Sequence, residues 1–120
     1  MRFRVEIPDE ARRDIDAAYE YIRRHGPGDP VQWFRGIESK LLSLQDFADW
    51  SGFAPEDNYS REEIRQILYG LFRILYLILD EIVRVLTVRH GARRFLSAGE
   101  IDRLAESNDR ESGETEDNDD

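Results

Sequence analysis

A chain of 120 residues with 40% hydrophobic content is sized for one compact domain around one core. Without cysteine it can hold neither a disulfide framework nor a thiolate metal site, and its two histidines give no basis for a metal centre or a bound cofactor. A net charge of −9 argues, at face value, against nucleic acid as a partner.

Phe3, Val5 and Ile7 alternate with Arg2, Arg4 and Glu6, the period-two signal of a half-buried strand that ends at Pro8. The same charges rule out the apolar stretch of a signal peptide. No segment reaches the roughly 18 uncharged residues of a membrane span, so a soluble, unprocessed, cytoplasmic protein is expected. Asp9 is placed to cap a helix whose inner stripe is Ala11, Ile15, Ala18 and Ile22 and which stops at Gly26-Pro27, with His25 as a cation at its end. Asp29-Pro30 opens a second amphipathic helix with Phe34, Ile37, Leu41 and Leu44 inward. Trp33 and Trp50 read as packing residues, and residues 48–60 as a surface loop.

From Glu63 the period becomes that of strands: Ile64 to Leu68, Leu71 to Leu79 and Ile82 to Arg89, broken at Tyr69-Gly70 and Asp80-Glu81. These breaks are not ideal tight-turn sequences, so a bulge can shift the register. The expected fold is α+β, an N-terminal strand and two amphipathic helices followed by a three-strand antiparallel meander. Residues 92–104 read as a short helix broken by Gly99, which closes a domain over 1–104, and residues 105–120 read as a disordered acidic tail. That tail carries eight acids against Arg110, a charge of −7, whereas residues 61–104 carry eight arginines against six acids, or +2. The whole-chain charge therefore conceals a mildly basic sheet region.

With Asp80-Glu81 as a two-residue turn, Leu75 opposes Leu86 and Arg73 opposes Val88. One face then carries Arg73, Leu75, Leu77, Leu79, Ile82, Arg84, Leu86 and Val88. The other carries Phe72, Ile74, Tyr76, Ile78, Val83, Val85, Thr87 and Arg89, with Tyr76 in the core. Both faces are apolar, and two helices cover only one. The other needs residues 92–104, a second copy, or a partner, because a large exposed apolar patch is unusual on a soluble monomer.

The stretch Glu63-Ile64-Arg65-Gln66-Ile67-Leu68-Tyr69-Gly70-Leu71-Phe72-Arg73-Ile74-Leu75-Tyr76 resembles the second-to-third-strand hairpin of the RelE/ParE family of toxins. Val88-Arg89-His90-Gly91-Ala92-Arg93 resembles that family's final-strand exit, and with the N-terminal strand, helix, helix order the resemblance spans residues 2–94. It implies the toxin of a type II toxin–antitoxin module, of the kind that stabilises plasmids or arrests growth, neutralised by a cognate antitoxin and able to form a higher-order assembly with it. The family's actions are inhibition of DNA gyrase, the ParE-like reading favoured here, or ribosome-dependent mRNA cleavage, the RelE-like alternative. A decayed, inactive antitoxin-binding module is a third reading.

By resemblance, Arg73 takes a phosphate-contacting position and Arg93 the place of the arginine that stabilises the transition state in nuclease members. Arg65 stands where nucleases commonly carry lysine. The tyrosine that some of them place after the last-strand arginine is missing from Arg94-Phe95-Leu96-Ser97-Ala98-Gly99. Metal-free RNA cleavage needs a base, an acid and cations on the phosphate. His90, with an unperturbed pKa of about 6.5, suits either proton role, with Arg73, Arg89 and Arg93 as cations. The plain alternative has His90 bonded to backbone and the arginines paired with acids. Target- or phosphate-binding candidates are thus Arg65, Arg73, Arg89 and Arg93, catalytic ones Arg73, His90 and Arg93 in the nuclease reading alone, and antitoxin contacts Leu75, Leu77 and Leu86.

Overall fold

The computed structural model of the chain describes residues 2–26 and 28–106. The acidic tail expected over 105–120 lies, from residue 107 on, outside the described residues. In chain order the elements are β1 (Arg4–Glu6), α1 (Asp9–His25), α2 (Pro30–Phe47), β2 (Arg65–Tyr69), β3 (Phe72–Leu79), β4 (Ile82–His90) and a last helix, α3, over 98–106. The fold class is the expected α+β.

Pro8, not Asp9, is the N-cap of α1, and Asp9 is its first helical residue, where its charge suits the helix dipole. Asp29 does cap α2, its carboxylate accepting from the Val31 N–H at 3.0 Å. The inner stripes hold: Ala11, Ile15 and Ala18 of α1 and Ile37, Leu41 and Leu44 of α2 are buried. Gly36 has a packing reason, since a Cβ there would collide with the Tyr69 hydroxyl. Residues 48–60 are not a bare surface loop. They form two 3-10 turns, Ala48–Trp50 and Pro55–Asn58, and bury Ala48, Ala54 and Glu56. Trp33 packs against Tyr69 and Phe72, but Trp50, expected to pack, is 79% exposed and meets the Phe47 ring edge-on.

The sheet runs β1-β4-β3-β2, with β1 parallel to β4 and the other pairs antiparallel. Both hairpin turns need a left-handed residue, Gly70 and Asp80, each at φ 56°. Glycine adopts this freely and aspartate better than most.

The expected straight register fails in the middle of the β3–β4 hairpin. Tyr76 opposes Val85, yet Leu75 opposes Thr87, so Leu86 is the extra residue of a β-bulge. One inserted residue reverses the facing of every later residue in the strand. Arg73 therefore opposes Arg89 instead of Val88, and Val88 moves to the helix-side core with Ile74, Tyr76, Val83 and Val85.

The second apolar face is closed by the chain itself. Leu96, Ile101 and Leu104 bury Leu75, Leu77 and Leu86, together with Ala54 and Ile64. Each such side chain taken from water is worth about 1.5–3 kcal/mol, which is the reason a lid forms. Gly99 does not break α3; it lies in the first turn. Ser97 and Glu100 form a reciprocal capping box, the Ser97 Oγ accepting from the Glu100 N–H at 3.2 Å and the Glu100 carboxylate accepting from the Ser97 N–H at 2.9 Å.

Candidate functional site

Three of the four candidate target-facing arginines are taken up by the fold. Arg73, from the second residue of β3, points into the second face. Its two terminal nitrogens donate to both oxygens of Glu56, at 3.0 and 2.9 Å, with a further bond to Gln66 Oε1 at 3.0 Å. The side chains are only 7% and 0% exposed, a fork-on-fork ion pair inside the protein. Glu56 also accepts from the Leu96 N–H at 3.0 Å. Burial works to raise the Glu56 pKa, but the hydrogen bonds from Arg73 and Leu96 outweigh it and hold the carboxyl below its ordinary value.

Arg89 lies opposite Arg73 on the same face, 5% exposed, and donates to the Arg94 carbonyl at 3.0 Å. Burial, then the neighbouring Arg93 and Arg73, push its pKa down. The Nε atoms of both Arg73 and Arg89 are buried without a hydrogen-bond partner. Arg65 donates to the Ser51 and Asp49 carbonyls and lies 4.4 Å from the centre of the Phe53 ring, pinning the 48–54 segment to the edge of β2.

His90 and Arg93 sit apart from this cluster, where β4 leaves the sheet beside α1. With Asp14, Ala17, Ala18, Tyr21, Phe72 and Ala92 they line a groove of about 460 Å³. The His90 Nδ1 accepts from the Ala92 N–H at 3.0 Å, and its ring meets Phe72 edge-on. Arg93 is exposed. Asp14 accepts from the Thr87 hydroxyl at 2.5 Å, and burial raises its pKa despite that bond. His25, at the end of α1, meets the Tyr21 ring at a tilt, with ring centres 4.9 Å apart.

The expected site is thus divided. Arg73 and Arg89 face one side of the sheet and His90 the other, because the register puts neighbours 89 and 90 on opposite faces. Leu75, Leu77 and Leu86, expected to meet an antitoxin, lie under α3 and offer no free surface in the chain alone. Glu56 was missed because it stands among turn formers with no periodic signal. Asp14 was missed because it is one of many acids on α1. Among the described residues no group of three potential metal ligands is clustered, and no helix is long and apolar enough to cross a membrane.

A family model described as the ParE toxin of the type II toxin–antitoxin system parDE matches residues 5–95. A solved structure described as a chromosomal ParDE toxin–antitoxin system from P. aeruginosa is similar at 17% identity and a TM-score of 0.57, covering 73% of this chain and 95% of that one. A mutant of the E. coli toxin RelE in the free state is similar at 12% identity and a TM-score of 0.48, covering 77% and 86%. No curated protein matches the chain. The family match ends at Phe95, just before α3.

Proposed function

The chain belongs to the family of ParE toxins of type II toxin–antitoxin systems, and from that premise we propose that it inhibits DNA gyrase without nuclease chemistry and is released to do so in the cytoplasm when its cognate antitoxin is lost. The observation that carries the choice between gyrase and message is the buried Arg73–Glu56 pair. A ribonuclease needs its cations aimed at the phosphate. Arg73 is the candidate with the best match to a phosphate contact, and turning it outward would leave the Glu56 carboxylate buried and unpaired, at about 3–5 kcal/mol. Arg89 is turned inward and Arg65 holds backbone carbonyls, so Arg93 alone of the four stands exposed.

His90 accepts a backbone N–H through Nδ1, the arrangement of a strand-end residue, and no second proton-transfer group is hydrogen bonded to it among the described residues. An inhibitor that works by binding has no need of such a pair.

Induction of the chain without antitoxin tests the reading. Plasmid supercoiling should collapse, purified protein should block supercoiling by purified gyrase, and primer extension should show intact messages. Message cuts that disappear in His90→Ala or Arg93→Ala, with supercoiling normal, would replace gyrase with mRNA as the target. Growth and supercoiling both unaffected would leave an inactive module that only binds antitoxin.

A further inference from the structure

Trp50 is 79% exposed, yet the backbone that carries it is pinned on both sides. Ala48 is buried, and the Tyr76 hydroxyl donates to its carbonyl at 2.6 Å. The Ser51 carbonyl accepts from Arg65, and the Gly52 carbonyl from the Gln66 N–H at 3.1 Å. From this fixed base Phe47, Trp50 and Phe53 project, each about half exposed or more, with the first two rings edge to face and 5.6 Å apart. Anchored backbone under exposed rings is the form of a preorganised contact surface, because little order is left to impose on binding. Leu42, Leu68 and Leu71 are exposed as well, but they are aliphatic and have no ring face to offer a cation.

The stretch around the rings is acidic. Residues 41–60 hold four acids and no lysine, arginine or histidine. Glu56 and Asp57 are engaged inside the fold, by Arg73 and by the Ile64 N–H, whereas Asp46 and Asp49 are exposed in sequence beside Phe47 and Trp50. Two cations adjoin them: Arg2 reaches Asp46 at 3.6 Å from an exposed position, and Arg65 is held by the Ser51 and Asp49 carbonyls. Rings flanked by carboxylates attract a guanidinium or ammonium group, and Arg65 lying 4.4 Å from the Phe53 ring centre is that contact made within the chain. A second copy on this surface would set acid against acid, in a chain of net charge −9. A basic partner gains from charge and ring together. An enzyme that grips duplex DNA must present lysine and arginine to the phosphates, so gyrase supplies that chemistry. We infer that Phe47, Trp50 and Phe53, with Asp46 and Asp49, form the surface that docks on gyrase, against a basic segment with an apolar side chain beside its arginine or lysine. The inference rests on the proposed gyrase target. It also gives the net charge a use, since the charge that opposes binding to nucleic acid speeds encounter with a basic protein surface.

The test uses the full-length chain and purified gyrase. Binding is measured by calorimetry at low and at raised salt, and inhibition by the amount of chain that halves supercoiling. Trp50→Ala removes an exposed ring and Asp49→Lys reverses an exposed charge, and thermal melts confirm that both variants are folded. Trp50→Ala should weaken binding by at least about tenfold, as for a lost anchor, with a matching rise in the amount that inhibits. Asp49→Lys should weaken binding at low salt and flatten its dependence on salt. Unchanged affinity in both folded variants overturns the docking surface while the gyrase target stands. Wild-type chain that does not bind gyrase overturns the reading beneath, and the inference with it, before any variant is compared. A wild-type dimer that Trp50→Ala splits, with inhibition unchanged, gives the surface to a second copy and also overturns the inference.

Discussion

On the helix side of the sheet, α1 and α2 lay long apolar stripes against Ile74, Tyr76, Val83, Val85 and Val88. On the other side, α3 and its approach, with Ala54 and Ile64, cover Leu75, Leu77 and Leu86, and the approach is fixed by a buried ion pair and the Leu96 N–H. A long helix holds its place through apolar area; a short lid also needs polar bonds at its entry. The Tyr59 hydroxyl donating to the Leu96 carbonyl, and Arg94 gripping Glu100 at 2.7 and 3.1 Å, add to the same fastening.

The largest effect should come from removing the clamp. Glu56→Ala leaves the Arg73 charge buried without its partner and should cost about 3–5 kcal/mol in urea denaturation. A loss under about 1 kcal/mol would mean that the lid holds by area alone, and the contrast between the faces would fall. Next is Ser97→Ala, which removes one half of the capping box and should cost about 1 kcal/mol. Amide exchange should quicken over 98–106 and stay slow in α1 and α2; an equal change in all three would show one cooperative body without a separable lid.

Acid gives the mildest and most selective probe. Hydrogen bonds from Arg94 and then from the Ser97 N–H hold Glu100 at about 2, and Glu56 is also held low. Carboxyls depressed by folding stabilise above their unfolded values, and that support is lost as the pH falls toward the folded ones. Asp14 is raised by burial, so protonating it relieves the α1–β4 contact and favours folding as the pH falls through its raised value. Exchange followed from about pH 6 down to about pH 2 should therefore loosen α3 while α1 keeps its protection. Loss of α1 first would reverse the assignment.

The elements themselves were legible, because periods of two and of 3.6 report directly which side of a segment meets apolar neighbours. The need to cover Leu75, Leu77 and Leu86 was legible too, since an unbroken apolar run cannot stay exposed. That a bulge could shift the register was legible in the imperfect turn sequences, but its place at Leu86 was not, because an extra residue in a strand of valines and leucines carries no marker, and it alone misassigned the faces of Val88 and Arg89. Nor was the fate of Arg73: whether an arginine meets a phosphate or a carboxylate depends on Glu56, a partner contributed by a segment without periodicity. Ser97-Ala98-Gly99-Glu100 did carry a readable helix start, masked by Gly99, which reads as a breaker.

The place of β1 bears on how the protein is made. Its three residues pair with the first residues of β4, and Glu6 receives Arg84 across a separation of 78 positions. At about 5–20 residues per second of synthesis, β1 waits several seconds for its only partner in the sheet. Until then α1 lacks β4, the strand it packs against. β1 is thus made before β4 and is seated only once β4 has followed it.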